Sequence, residues 1–197
     1  MSQGSLARTL SQLDRFDNPK LELEQYATPG EIAANLLWIA HLQGDIEGKR
    51  VVDLGAGTGV LGIGALILQA YVTFVEIDPD ALAILKRNLE GYDNYEVIEA
   101  DISAFEGTYD TVIMNPPFGA QKRHADRAFL EKAFACAPIT YSIHNANSTS
   151  FLRSLCKDHE RTFEILSEAS FDLPAAFSHH TKPRVKQSVV LCRSANV

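Results

Sequence analysis

The sequence has few of the residues that mark several large classes of protein. Its 197 residues include only three cysteines, at scattered positions. Their spacing does not fit a zinc site, and the odd number predicts free structural thiols in a reducing compartment. No apolar run is long enough to span a bilayer, and the first residues lack the apolar core of a signal peptide. We therefore expect a cytoplasmic protein with no membrane contact and no bound metal.

Positive charge is also scarce. The chain has 18 lysines and arginines against 25 aspartates and glutamates, which gives a formal net charge of −7. This charge argues against nucleic-acid binding through a broad basic surface, so any such binding has to be local. The length and a hydrophobic content of 46% predict a single domain over residues 1–197, with a sizeable core.

Short apolar segments alternate with amphipathic helical patterns along the chain. Strands are predicted at residues 50–54, 71–77, 95–99, 109–114, 138–144, 162–171 and 185–193. This alternation predicts an α/β fold: a doubly wound, mostly parallel, seven-stranded Rossmann-like sheet with helices on both faces.

Residues 1–45 precede the first strand and predict an N-terminal helical extension. Its first helix is expected over residues 6–16, where leucines recur at helical spacing. The second is expected to begin with Thr28 as its N-cap, Pro29 as its first residue and Glu31 as the reciprocal acid of a capping box.

The first strand leads directly into a glycine-rich turn, Gly55-Ala56-Gly57-Thr58-Gly59, and then into a helix. Glycines in this position let the backbone approach a ligand closely. Glu76 follows about 20 residues later at the tip of the second strand, where an acid receives ribose hydroxyls. A solvated acid is the alternative for Glu76, whereas Asp78 is interpreted as a helix cap. Asp101 falls after the third strand.

Two further absences restrict the ligand. Val60 stands where a dinucleotide-binding fingerprint would have its third glycine. The sequence also lacks the Gly-Lys-Ser/Thr motif that holds a triphosphate. These differences favour a ligand that carries a ribose and an adenine but no phosphate.

The run Asn115-Pro116-Pro117-Phe118 follows an apolar strand. Two prolines cannot continue the hydrogen-bond ladder, so the chain leaves the sheet at the edge where ligands bind. The Asn115 side-chain oxygen and the Pro116 carbonyl can accept the hydrogens of a planar amine and so free its lone pair, while an exposed Phe118 stacks on the base. A proline turn that packs a phenylalanine is the alternative.

Together, the glycine loop, the two strand-end acids and the Asn-Pro-Pro-Phe run resemble the S-adenosylmethionine-dependent class I methyltransferases. The resemblance implies S-adenosylmethionine as the cofactor. In these enzymes the last motif implies methyl transfer to a nitrogen conjugated with a π system, such as adenine N6 or a glutamine side-chain amide.

Four segments, at residues 21–28, 112–119, 141–144 and 171–174, look like those of the methyltransferase-like protein 5 family and its archaeal relatives. This resemblance implies N6-adenine methylation of small-subunit ribosomal RNA, with a small zinc-binding activator subunit as a possible partner. It implies catalytic roles for Asn115, Pro116, Pro117 and Phe118. It also implies cofactor contacts, some of them from the N-terminal extension, at Gln25, Thr28, Gly55, Gly57, Thr58, Val60, Glu76, Ile77, Asp101 and Ile102.

Two short basic segments are the candidates for RNA contact. They contain Lys122 and Arg123 in the first and His180, Lys182 and Arg184 in the second. If both flank the Asn-Pro-Pro-Phe edge, they form a phosphate-binding rim for an unpaired or flipped adenine. Solvated loops are the alternative.

Two other functions remain open. A protein glutamine N5-methyltransferase would use the same amide chemistry, and a cofactor-binding ribosome-assembly factor would use the cofactor site without turnover.

Overall fold

A computed structural model of the protein describes residues 1–118, 125–174 and 184–197. Seven strands form one sheet in the order β3-β2-β1-β4-β5-β7-β6. The strands β1 to β5 pair in parallel with one another, and β7 pairs antiparallel with both β5 and β6. In chain order they are β1 (Arg50–Leu54), β2 (Tyr71–Glu76), β3 (Tyr95–Glu99), β4 (Thr111–Met114), β5 (Ile139–Asn145), β6 (Arg161–Pro174) and β7 (Arg184–Asn196).

Helices cover both faces of the sheet, as predicted, and each face has its own apolar cluster. The first cluster contains side chains of α1 to α4, and the second contains side chains of α5 and α6. The helices are α1 (Gln3–Ser11), α2 (Gly30–Leu42), α3 (Val60–Ile67), α4 (Pro79–Asn88), α5 (Ala125–Cys136) and α6 (Thr149–Asp158). None of these helices has the length and apolarity needed to cross a bilayer.

The first helix is shorter at its carboxyl end than predicted, because α1 ends at Ser11 instead of residue 16. Asn88 accepts a hydrogen bond from the Asp14 backbone N–H at 2.9 Å and donates one to the Asp14 carbonyl at 3.0 Å. The first of these bonds uses the Asp14 N–H, which a longer helix would bond to a carbonyl within the helix. Residues 12–29, called the connecting segment below, run irregularly apart from one short 3-10 turn at Leu21–Leu23.

The predicted capping box before the second helix is wrong. Helix α2 begins at Gly30 with Pro29 in the N-cap position, and no side chain caps it. The hydroxyl of Thr28 instead accepts a hydrogen bond from Asn115 Nδ2 at 2.9 Å. The prediction for Asp78 is confirmed, since its carboxylate caps α4 by accepting the Asp80 N–H at 3.1 Å.

The strand order reverses between β1 and β4, because the chain continues from β1 towards β3 on one side and from β4 towards β5 on the other. A reversal of this kind opens a crevice at the carboxyl ends of the strands. The glycine loop, Glu76, Asp101 and Asn115 lie at or just beyond the carboxyl ends of β1, β2, β3 and β4 respectively.

Candidate active site

A cavity of about 770 Å³ opens at the carboxyl edge of the sheet. This volume lies in the range of sites that bind small molecules. The structure brings together at its wall all the residues for which cofactor contact is predicted, and contact with a cofactor stays a prediction. They are Gln25, Thr28, Gly55, Gly57, Thr58, Val60, Glu76, Ile77, Asp101 and Ile102. Asn115 and Pro117 also line the cavity.

The glycine loop forms one wall, and all three of its glycines have positive φ angles. Gly57 and Gly59 have φ angles of 55° and 92°. A Cβ on Gly59 would lie 2.3 Å from the buried side chain of Leu85, and one on Gly57 would lie 3.0 Å from the ring of Phe16. Larger residues would therefore be strained in conformation and short of space. The loop can follow the cavity only because these side chains are missing.

Glu76 ties this loop to the end of β2. One carboxylate oxygen accepts the Gly57 N–H at 2.7 Å, and the other accepts the N–H groups of Ile77 and Asp78, both at 2.9 Å. A carboxylate offers about four acceptor positions, so about one remains for a hydroxyl of a ligand. The predicted ribose acid is thus also the group that holds the loop in place.

Asp53 is a cavity residue that the sequence analysis missed. It lies on β1, is 2% exposed, and accepts the Gly62 N–H at 2.8 Å. Burial raises the pKa of this carboxyl to about 7, opposed by the Gly62 hydrogen bond and reinforced by the charge of Glu76. The available signal was an acid inside an apolar strand, two residues before a glycine turn.

Replacing Asp53 by asparagine should change how stability depends on pH. The folded-state pKa near 7 lies above the unfolded value of about 3.9, so the folded protein holds this proton more tightly. The resulting stabilisation is complete below the unfolded pKa and is lost as the pH rises through 7. The amide stays neutral and still accepts the Gly62 N–H. The gain is the unfolding free energy of Asp53→Asn minus that of wild type. We expect this gain to be about 1 to 3 kcal/mol larger at pH 8 than at pH 5.

Urea unfolding at both pH values measures this difference. Asp93→Asn removes the same charge from an exposed position and serves as the control. An Asp53→Asn gain of equal size at pH 5 and pH 8 would contradict the prediction.

The amide of Asn115 is held from both ends by the connecting segment. Its Nδ2 donates to the Thr28 hydroxyl at 2.9 Å, and its Oδ1 accepts from the Tyr26 hydroxyl at 2.9 Å. The Tyr26 ring centre lies 5.2 Å from that of Phe118 and 5.7 Å from that of Phe171. Phe118 is therefore half-buried, and the prediction that it is exposed is wrong.

Tyr26 had no role in the sequence analysis, although it lies between two residues that did. Burial raises the pKa of its phenol well above the ordinary value, and the hydrogen bond with Asn115 opposes this only in part. The hydroxyl is accordingly a proton donor at any physiological pH. The sequence did contain a signal for Tyr26, namely an aromatic residue in a segment that has neither helical nor strand periodicity.

Gln25 is engaged with the first turn of α4. Its Nε2 donates to Asp78 at 2.6 Å, and its Oε1 accepts the Lys20 backbone N–H at 2.9 Å. The Lys20 ammonium forms ion pairs with Asp78 at 2.5 Å and Asp80 at 2.7 Å. Burial alone would raise the pKa of Asp78, but the hydrogen bonds from Lys20, Gln25 and the Asp80 N–H lower it below the ordinary value. A charged Asp78 thus fixes the connecting segment to α4.

The predicted RNA-contact residues lie largely outside the described residues. This holds for Lys122, Arg123, His180 and Lys182, and for the side chain of Arg184, whose backbone begins β7. The phosphate-binding rim therefore stays a prediction. In the part of the chain that the structure describes, no group of three or more histidine, cysteine or acidic side chains could hold a metal ion.

The chain is similar over most of its length to known proteins. Residues 31–139 match the methyltransferase small domain family. The zebrafish rRNA N(6)-adenosine-methyltransferase METTL5 is 37% identical over 203 residues, which cover 98% of each chain. The protein MJ0284 of Methanocaldococcus jannaschii is 36% identical, over 95% of this chain and 91% of its own.

The crystal structure of the Pyrococcus horikoshii protein PH1948 superposes with a TM-score of 0.91 at 44% identity, covering 100% of this chain and 98% of that one. Similarity of this extent leaves no large part of either chain unmatched. The chain is a methyltransferase and belongs to the METTL5 family.

Proposed function

We propose that the protein transfers a methyl group from S-adenosylmethionine to N6 of an unpaired adenine in RNA, with small-subunit ribosomal RNA as the substrate. The observation that carries the proposal is the fixed amide of Asn115 at the wall of a nucleoside-sized cavity. The names of the relatives in zebrafish, Drosophila melanogaster and Caenorhabditis elegans, all rRNA N(6)-adenosine-methyltransferases, support the choice of substrate.

The charges around the cavity suit this cofactor. Acids predominate among the described residues that line it, with Glu22, Glu24, Glu76, Asp101 and Glu131 against the cation Lys132. Such a lining repels phosphate groups and favours a cation. S-adenosylmethionine carries a positively charged sulfur and no phosphate, and when bound it supplies an electrophilic methyl group. We infer that Glu76 accepts a hydrogen bond from a ribose hydroxyl, and that Ile77 and Ile102 contact the adenine ring.

The chain's own residues prepare the amine. The second acceptor position of Asn115 Oδ1 and the carbonyl of Pro116 take the two amino hydrogens, which draws the nitrogen out of conjugation and exposes its lone pair. Phe118 stacks on the base, an interaction worth about 1 to 3 kcal/mol, and so fixes the angle of approach. A strong base is not required, since the neutral amide only has to hold the hydrogens until methylation makes the nitrogen acidic.

Labelled cofactor and small-subunit ribosomal RNA test the proposal. We expect the protein to incorporate label that ribonuclease releases and protease does not, and nucleoside mass spectrometry to identify the product as N6-methyladenosine. Label that only protease releases would instead indicate a glutamine N5-methyltransferase. Cofactor binding without any transfer would indicate a non-catalytic ribosome-assembly factor.

We further propose that residues 1–197 act as one class I methyltransferase domain in the cytoplasm, together with a small zinc-binding activator subunit. The position of Gln25, Tyr26 and Thr28 at the cavity supports a role of the N-terminal extension in the cofactor pocket. The outer edge of β3, which pairs with no further strand among the described residues, supports a protein partner, because strands at a sheet edge offer backbone groups for pairing.

A further inference from the structure

We propose that Tyr26 and Thr28 are positioning residues that fix the orientation of the Asn115 amide, so that its oxygen keeps an acceptor position for the methyl-accepting amine. The inference rests on the proposed function, because it assigns these two side chains a role in the same site. It adds two hydroxyl groups, 89 and 87 positions from Asn115 in the chain, to the machinery that prepares the substrate.

The need for such positioning follows from the shape of an amide. Rotation of the Asn115 side chain by half a turn exchanges Oδ1 and Nδ2, which have almost the same size. In the exchanged orientation the amide would present two donors where the substrate amine also presents donors. The Asn115 motif alone therefore does not define which atom faces the amine, and neighbouring groups have to select it.

The two hydroxyl groups differ in a way that makes this selection. A phenol is the more acidic of the two and shares its oxygen lone pair with the ring, so Tyr26 is the better donor and the poorer acceptor. An aliphatic hydroxyl, as on Thr28, is the better acceptor. The observed arrangement uses both preferences, because Tyr26 donates to Oδ1 and Thr28 accepts from Nδ2. The exchanged orientation would oppose both of them.

The position of Tyr26 is itself fixed by its surroundings. Its ring lies against Phe118 on one side and Phe171 on another. The side chain of the neighbouring Gln25 donates a hydrogen bond to Asp78, the N-cap of α4, and so holds this part of the connecting segment against α4. Tyr26 consequently supports both groups that would touch the base, the Asn115 amide and the Phe118 ring.

Tyr26→Phe tests the inference, because it keeps the ring contacts and removes only the hydroxyl. We expect kcat for RNA methylation to fall about tenfold, the effect of losing one hydrogen bond that orients a reacting group. The KM for S-adenosylmethionine and the melting temperature should stay near their wild-type values. Tyr71→Phe makes the same chemical change at a position on β2 that is 56% exposed, and should leave kcat unchanged.

Thr28 provides an independent pair of variants. Thr28→Val keeps the shape of the side chain but removes the acceptor, whereas Thr28→Ser keeps the hydroxyl. We expect kcat of the valine variant to fall by about as much as that of Tyr26→Phe. The serine variant should retain most of the wild-type kcat. This rescue separates an acceptor role from a packing role.

Three results would overturn the inference. The first is a wild-type kcat in Tyr26→Phe while Asn115→Ala is inactive. The second is a change in Tyr26→Phe that is confined to the KM for S-adenosylmethionine. The third is an equal loss of kcat in Thr28→Val and Thr28→Ser. No transfer of label from S-adenosylmethionine to RNA by the wild-type protein would instead overturn the proposed function, so the two failures are distinguishable.

Discussion

Replacing Asn115 by alanine is expected to lower kcat for RNA methylation by roughly 100- to 1000-fold, the usual cost of removing one group that acts mainly on the transition state. Its oxygen accepts an amino hydrogen that becomes more acidic as the new bond to carbon forms, so the interaction is stronger in the transition state than in the bound substrate. Initial rates at saturating cofactor and RNA measure the effect directly.

Binding and stability provide the controls for Asn115→Ala. The affinity for S-adenosylmethionine should change by less than about threefold, because the amide is predicted to act on the other substrate. Asn115→Asp retains an oxygen acceptor and should keep more activity than the alanine variant. A wild-type rate in Asn115→Ala would contradict the catalytic assignment.

Replacing Glu76 by alanine is expected to weaken S-adenosylmethionine binding by about 100-fold or more. One ribose hydroxyl loses a charged acceptor, and such a bond is worth about 1.5 to 3 kcal/mol. The three backbone N–H groups that Glu76 now holds also lose their partner, which releases the glycine loop. Titration calorimetry with the cofactor measures the change.

Glu99→Ala is the matched control, since Glu99 pairs in register with Glu76 on the neighbouring strand but is exposed. It should bind the cofactor as wild type does. Glu76→Gln should also bind S-adenosylmethionine weakly, because the NH₂ group of the glutamine would face at least one of the backbone N–H donors. Wild-type affinity in Glu76→Gln would show that the charge and the second oxygen of Glu76 are not needed.

Much of the fold could be predicted because strands and glycine turns leave local signals. The predicted bounds of β1 and β3 are confirmed, and the strand ends that they define bring the predicted cofactor residues to one cavity. Parallel strands share one carboxyl edge, so the predicted strand ends brought Glu76, Asp101 and Asn115 to one place, whereas Gln25 and Thr28 reach the cavity from the connecting segment.

The errors have a common physical origin in contacts between distant parts of the chain. The residues around Thr28 form an ordinary cap signal, but the Thr28 hydroxyl instead accepts a hydrogen bond from Asn115, 87 positions away. Helix α1 ends early because Asn88, 74 positions from Asp14, bonds the backbone of Asp14. The raised pKa of Asp53 depends on complete burial, which requires the whole sheet. None of these partners can be read from the sequence around the residue concerned.

The position of β7 has a consequence for the order in which the chain can assemble. This strand follows all the others in sequence, yet it lies inside the sheet between β5 and β6. During synthesis β5 therefore stays an open edge, and β6 has no neighbour in the sheet, until the residues from Arg184 onwards have left the ribosome. A chain shortened before that point loses two strands from its sheet, although only one has been removed from its sequence.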